Sequence, residues 1–418
     1  MTSRTSRPGA AVLAALVVLL GALVAAGPAR AQDGEPSLRS ASSAILVEPA
    51  TGDIVVEKRA DTRRAIASTT KMMTALVTLE RASLDDVLTT TDYRPAPVES
   101  QIGLQPGERL TVRDLLRGLL LASGNDAAVT LAVRIGGSRE RFVRLMNQKA
   151  REIGLTNTRF ANPIGLDDPD NYSTATDLAK LALVLRRNAF ARETMNLEQA
   201  TLRSGARRRV VQNRNLLVRR FDFVNGVKTG RTSQAGFVLV GSGSRDGVSV
   251  VSVVLGEPSE EARVRDSAAL LRYGLRRYRV TRALRTGQPL GSATLEYRDD
   301  QRVELVAARS SSRVTRRDER LTTRVLGAPK VLDGPLPARS RVGTVEVRFR
   351  GRVVDRVPLV TATEVVEATA TDRLKDFAGR PGTKILLGAL VGCSLLLVLL
   401  RRRMGARTGR QTSGTEIA

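Results

Sequence analysis

Residues 385–400 read ILLGALVGCSLLLVLL, a run without a single charge, and the run is closed at once by Arg401, Arg402 and Arg403. At about 1.5 Å per helical residue it spans roughly 24 Å, a little under the ~30 Å hydrocarbon core, and Lys384 and the arginines can snorkel outward from its ends. It has no polar face, so it reads as a stop-transfer transmembrane helix rather than a core or surface helix. A second apolar run, AAVLAALVVLLGALVAA, follows Arg4 and Arg7 and leads to Ala29-Arg30-Ala31, the pattern of a secretory signal peptide over residues 1–31. Whatever folds must therefore fold between about residue 32 and the anchor, on the outer face of the membrane, with 401–418 left as a basic cytoplasmic tail.

Composition narrows the chemistry open to that exported part. The chain has 418 residues, no His and one Cys, Cys393, which lies inside the apolar run. Without imidazole there is no Ser-His-Asp or Cys-His nucleophile, no HExxH metallopeptidase and no His-ligated metal. A single Cys removes disulfide frameworks and thiolate metal clusters. Against 42 Asp plus Glu stand 67 Lys plus Arg, a formal charge of +25. Such a charge would ordinarily suggest nucleic acid, but an exported chain meets phospholipid head groups and anionic wall polymers instead, so no nucleic-acid partner is expected. With 42% hydrophobic residues the chain can bury a core, and its length suggests two or three domains.

The first block runs to about residue 280. Residues 43–57 form two apolar runs around Thr51-Gly52, an antiparallel hairpin at a sheet edge. Helical spacing follows over Lys71–Arg81, 112–135, 142–153 and 176–187, the last with a cap near Thr174 or Thr176. From Gly236 the period changes to two, GFVLVGS and VSVVSVVLG being joined by SGSRDG as a second hairpin, and 259–278 reads as a closing helix. The order describes a mixed sheet with a mostly helical insertion. From 287 to 371 short alternating strands suggest a separate small all-β domain, and 372–384 reads as a polar connector.

With no His, a hydrolytic base must come from Lys, Asp, Glu or Tyr. Only eight of the basic residues are Lys, and two of them stand out. Ser68-Thr69-Thr70-Lys71 places a hydroxyl and an amine one turn apart at a helix start, where the amine can take the hydroxyl proton if it is itself neutral. Burial beside Met72 and Met73, with a second cation nearby, would lower the lysine pKa toward that range. Alone, SxxK is weak, with on the order of one occurrence expected by chance and an N-cap Ser beside an exposed Lys as the plain alternative. The second element, Ser123-Gly124-Asn125, ends an apolar helix and could equally be a polar turn. The third, Lys228-Thr229-Gly230, precedes the GFVLVGS strand, where roughly 0.05 chance occurrences are expected.

These three elements, in this order and spacing, resemble the penicillin-binding proteins and serine β-lactamases. The surrounding AILVEPATGDIVVEKRADTRRAIASTTKMMTAL, LQPGERLTVRDLLRGLLLASGNDAA, NPIGLDDPDNYSTATDLAKLA and NGVKTGRTSQAGF are similar to the low-molecular-weight D-alanyl-D-alanine carboxypeptidases over most of 40–280. The segment ARSRVGTVEVRFRGRVVDRVPLV resembles that family's C-terminal β-domain. The resemblance implies an α/β (α+β) β-lactamase/transpeptidase-like domain with a helical subdomain over 35–282. A small β-sandwich-like all-β domain over 286–371, the connector 372–384 and the C-terminal transmembrane helix would follow.

The resemblance also implies roles. Ser68 would be the nucleophile and Lys71 its base; Ser123 would pass a proton to the leaving amine, helped by Lys228, whose charge would keep Lys71 deprotonated. Asn125 would bind the substrate backbone. Thr229 and Gly230 would lie on an edge strand that pairs with substrate, and the N–H groups of Ser68 and Arg231 would form the oxyanion hole. Arg214 and Arg263 would clamp the terminal carboxylate. The implied substrate is a peptidoglycan stem peptide ending in D-Ala-D-Ala, with β-lactams as covalent inhibitors and no metal or organic cofactor. Two positions depart from the family's habits: Arg231, where His or an aromatic residue is common, and Ile164, where His is common. No carboxylate is recognisable as a deacylating base, which favours a penicillin target over a β-lactamase. β-Lactamase or DD-endopeptidase activity on the same fold, and a non-catalytic wall-binding protein, are the alternatives.

Overall fold

The computed structural model describes residues 34–408, so the expected signal peptide lies outside the described residues. Contacts divide the chain into two units that meet between Arg279 and Val280.

The first unit is built on a five-stranded antiparallel sheet. Its strands are β1 (Ser43–Glu48), β2 (Asp53–Lys58), β5 (Val224–Thr232), β6 (Gly236–Arg245) and β7 (Val248–Glu257), in the order β2-β1-β7-β6-β5. Both faces of the central strands are apolar because both are covered. Ile45, Val238, Val240, Val251 and Val253 face the main helical core. The alternate residues Leu46 and Val250 lie against Gly274 of the closing helix α8 (Glu260–Arg277). Strand β5, which carries the Lys-Thr-Gly element, is left at the sheet edge.

Several helices of the first unit begin at side-chain caps that the sequence supplies. α2 (Val112–Leu120) starts at Thr111, α4 (Arg139–Glu152) at Ser138, α5 (Ala175–Leu185) at Thr174 and α8 at Ser259, each hydroxyl accepting an N–H of the first turn. α1 (Lys71–Arg81) instead follows a 3-10 turn at Ala67–Thr70. The helical stretch expected over 112–135 is broken into α2 and α3 (Asn125–Gly136). The break falls at Ser123, which takes a positive φ of 64° that no helix accommodates. Strand hairpin β3 (Gln199–Leu202) and β4 (Arg209–Gln212) was not legible, because the connecting RSGARRR masks any alternation. Helices α6 (Ala189–Asn196) and α7 (Leu216–Arg220) flank that hairpin.

The second unit holds a six-stranded sheet in the order Thr322–Leu326, Arg341–Phe349, Arg352–Thr361, Arg298–Ala307, Pro289–Leu295, Val331–Leu332. A two-stranded sheet pairs Tyr278–Leu284 with Ser311–Arg316. Its own core includes Leu305, Val345, Val357 and Leu359. Where the sequence suggested a connector, Thr369 and Asp372 form a capping box that starts a helix at Ala370–Gly379. A second helix, Pro381–Thr408, contains a candidate membrane span, Pro381–Met404, that is long enough and apolar enough over its middle to cross a membrane and is not buried within the protein.

Candidate active site

Ser68 sits in the 3-10 turn that feeds α1, directly after Ala67, whose φ of 47° turns the chain sharply. Two glycines pack against this turn. A Cβ on Gly165 would meet the Ala67 carbonyl oxygen, and a Cβ on Gly230 would lie 2.8 Å from the Ser68 nitrogen and 2.9 Å from Ala67 Cβ. The nucleophile turn is thus held between the 162–166 segment and the edge strand β5, with no room for a side chain on either side. Asn162 fixes the first of these walls: its Oδ1 accepts N–H bonds from Ile164, Gly165 and Leu166.

Lys71 is completely buried. Its ammonium donates to Ser68 Oγ at 2.9 Å and to the Ile164 carbonyl at 2.5 Å. Burial among Met72, Met73 and the helical core brings its pKa down to about 7; the carboxylates of Glu99 and Asp126 oppose that shift, and the guanidinium of Arg214 reinforces it. Position 164, where the sequence departs from family habit, contributes a backbone carbonyl, so its side chain is not what Lys71 requires.

Ser123 and Asn125 lie at the break between α2 and α3, both nearly buried. Ser123 Oγ and Asn125 Oδ1 are without a hydrogen-bond partner among the described residues. Buried polar atoms are rarely left so, and at a cleft wall such atoms mark where a ligand binds. The orientation of Asn125 has a cause. Its Nδ2 donates to Glu99 Oε2 at 2.6 Å, which turns Oδ1 the other way. Glu99 also accepts from Tyr93 Oη and the Ala96 N–H. Burial works against its charge, but these three bonds and the nearby Lys71 hold its carboxyl below the usual range. Sequence reasoning missed Glu99, which belongs to none of the three motifs and reaches Asn125 only through the fold.

Lys228 is buried on β5 and donates to the Thr229 carbonyl at 3.0 Å. Burial first, then the charges of Lys71, Arg214 and Arg263, push its pKa well down. The repulsion between Lys71 and Lys228 is mutual, so each disfavours the other's charge, and Arg214 adds to it at both. Arg263 is almost buried and already engaged, through Gly230 O at 3.2 Å and Glu260 at 2.6 Å, with its guanidinium over the Phe237 ring. Arg214 is exposed and forms no side-chain hydrogen bond among the described residues. Arg231 also lies over Phe237, its cross-strand partner. Ser68, Ser123, Arg214, Thr229, Gly230, Arg231 and Arg263 line one cleft of about 890 Å3, with Lys71, Asn125 and Lys228 buried behind its wall.

A hydroxyl bonded to a buried amine of near-neutral pKa, beside an antiparallel edge strand, defines a serine peptidase in which lysine takes the place of histidine, the class of the penicillin-binding proteins. The family model described as D-alanyl-D-alanine carboxypeptidase matches residues 30–259, and that for the C-terminal domain of penicillin-binding protein 5 matches 278–367. The chain belongs to the D-alanyl-D-alanine carboxypeptidase family. It is 30% identical to D-alanyl-D-alanine carboxypeptidase DacF of Bacillus subtilis over 83% of this chain and 92% of that protein. It is 33% identical to DacD of Escherichia coli, over 82% and 91%. Among solved structures, penicillin-binding protein 5 of Haemophilus influenzae superposes with a TM-score of 0.58 at 30% identity, covering 80% of this chain and 99% of that one. The Streptomyces K15 DD-transpeptidase gives 0.54 at 35%, covering 58% and 98%.

Proposed function

We infer that the protein is a penicillin-sensitive serine D-Ala-D-Ala carboxypeptidase that removes the terminal D-alanine from peptidoglycan stem pentapeptides. The observation that carries this reading is the 2.9 Å bond between Ser68 Oγ and the fully buried Lys71, held at a pKa of about 7. Neutral Lys71 takes the Ser68 proton as Oγ adds to the carbonyl carbon of the penultimate D-Ala. Charge on the carbonyl oxygen is met by the N–H groups of Ser68 and Arg231. The C–N bond then breaks as the proton taken by Lys71 is relayed through the Ser123 hydroxyl to the leaving D-alanine nitrogen, and water then hydrolyses the remaining ester, giving the free acid and restoring the Ser68 hydroxyl. Asn125 Oδ1 accepts an N–H of the peptide, and strand β5 pairs with its backbone through Thr229 and Gly230.

The free C-terminal carboxylate is assigned to Arg214, whose guanidinium has no partner among the described residues, while Arg263 holds the Gly230 carbonyl and so braces the edge strand. Glu99 is already engaged by three donors, which supports slow hydrolysis of a penicilloyl ester and disfavours β-lactamase activity. Export by residues 1–31 and anchoring through 385–400, with the catalytic unit outside the membrane, complete the reading. The test is intact-protein mass over time after mixing with benzylpenicillin, beside D-alanine release from a pentapeptide. A stable adduct of one penicillin, absent from Ser68→Ala, is expected. An adduct that vanishes in seconds while the drug is consumed would move the protein to the β-lactamases, and no adduct on folded protein would leave only the wall-binding alternative.

A further inference from the structure

The cleft holds more positive charge than the reaction uses. Seven of its 23 lining residues are arginine, nearly one in three, against one in seven for the chain. Glu260 is the one carboxylate among the described lining residues, and Arg263 already pairs with it. Arg209 is neutralised by the buried Glu108, through bonds of 2.7 and 2.8 Å, and Arg207 donates to the Gly103 carbonyl. With Arg214 assigned to the terminal carboxylate and Arg231 laid over the Phe237 ring beside the oxyanion position, Arg208 and Arg219 remain: both are exposed, both line the cleft, and neither has a hydrogen bond or carboxylate partner among the described residues.

These two guanidiniums are presented by a fixed support. The turn between β3 and β4 that carries Arg208 is pinned at one end by Asp114, which accepts from the Arg203 and Ser204 N–H groups at 2.8 Å. It is pinned at the other by Glu108, which accepts from the Ala206 N–H and from Arg209. Arg219 stands on α7. Like charges gathered in one concavity repel in the free protein and focus its field, an arrangement that favours an anionic ligand. At about 890 Å3 the cleft lies toward the upper end of the range for drug-sized ligands, so it accommodates more peptide than a terminal dipeptide.

We propose that Arg208 and Arg219 form a second anion subsite in the cleft, which selects peptides bearing free side-chain carboxylates upstream of the D-Ala-D-Ala terminus over the same peptides with those carboxylates amidated. The proposal deepens the carboxypeptidase reading and rests on it. Binding is by charge-assisted hydrogen bonds at a partly open site, so the preference is salt-sensitive.

The test uses the detergent-solubilised full chain and two N-acetylated peptides of equal length ending in D-Ala-D-Ala, one with two upstream glutamates and one with glutamines in their place. At low salt, kcat/KM for the glutamate peptide is expected to be on the order of tenfold higher, and the ratio should fall toward one in 0.5 M NaCl. The double variant Arg208→Ala, Arg219→Ala should lose the preference while cleaving the glutamine peptide as the wild type does and still taking up one penicillin. Equal rates on the two peptides at low salt, or a double variant that keeps the preference, would overturn the subsite and leave the carboxypeptidase reading intact. Failure to cleave either peptide would overturn both.

Discussion

Gly230→Ala tests whether the nucleophile turn is as tightly held as the structure shows. The added methyl would lie 2.8 Å from the Ser68 nitrogen, 2.8 Å from Val238 Cγ2 and 2.9 Å from Ala67 Cβ. Carbon atoms rest at about 3.5–4.0 Å, so each neighbour would have to give by roughly 0.6 Å or more. Val238 is a fully buried β-branched residue in the sheet core, stiff at χ1 and closely surrounded. The turn at Ala67 and Ser68 cannot retreat, because Gly165 is packed against its far side. The strain therefore divides between overpacking, about 1–3 kcal/mol, and displacement of Ser68 from its place beside Lys71. A misplacement approaching 1 Å lowers a reaction rate by about 10²-fold. The assay is the second-order rate of acylation by benzylpenicillin, with thermal melting alongside. Acylation should fall on the order of 10²-fold, and Tm by roughly 2–10 °C for a unit of this size. Gly291→Ala, at a position with open space around it, should change neither. Acylation within threefold of wild type at unchanged Tm would refute the argument.

The acid limb of the acylation rate should follow Lys71, falling as pH drops through about 7 because only the neutral amine can take the Ser68 proton. Glu99→Gln removes a carboxylate that favours the charged amine, so the limb should move to lower pH; an unmoved limb would show that Glu99 does not act on Lys71. Arg209→Ala leaves Glu108 buried and unpaired, and should lower stability by about 3–5 kcal/mol, read as a loss of Tm; a loss under about 1 kcal/mol would mean that the turn carrying Arg208 is not held by this pair. Burial and the neighbouring Asp266 raise the Glu257 pKa to about 7, so the folded state binds more protons than the unfolded between about 4.5 and 7. Stability from this group therefore declines as pH rises through that window. Glu257→Gln should raise Tm at pH 8 and leave it nearly unchanged at pH 4.5, and equal effects at both would exclude this assignment.

What the sequence made legible and what it hid differ in kind. The Ser-x-x-Lys, Ser-x-Asn and Lys-Thr-Gly elements name side-chain types, and the structure brings Ser68, Lys71, Ser123, Asn125 and Lys228 together around one cleft. The hairpin of β6 and β7 and the helix α8 were readable because period and caps are local. Glu99 was hidden because it reaches Asn125 from 26 residues away. The Ile164 contact was hidden because a carbonyl leaves no trace in residue type. The turn carrying Arg208 was hidden because what shapes it, Asp114 and Glu108, lies about a hundred residues earlier.

The absence of histidine links these pieces. A chain without imidazole must make its base from an amine whose ordinary pKa is about 10.5, and the lever open to a fold is to take that amine out of water. Doing so creates a second problem, since a buried ammonium needs partners even while it must be ready to lose its proton. In this protein Lys71 has the hydroxyl it activates and a neutral carbonyl. Both can accept from ammonium or amine, and neither carries the charge that would lock the proton in place. The nearby carboxylate, Glu99, is kept from direct contact by its bonds to Tyr93, Asn125 and the Ala96 N–H, and acts on Lys71 through its field alone. A carboxylate bonded directly to Lys71 would raise its pKa and silence the base. The same reasoning explains why the site tolerates Ile at position 164 and why its glycines, rather than its charged residues, set how closely Ser68 is held.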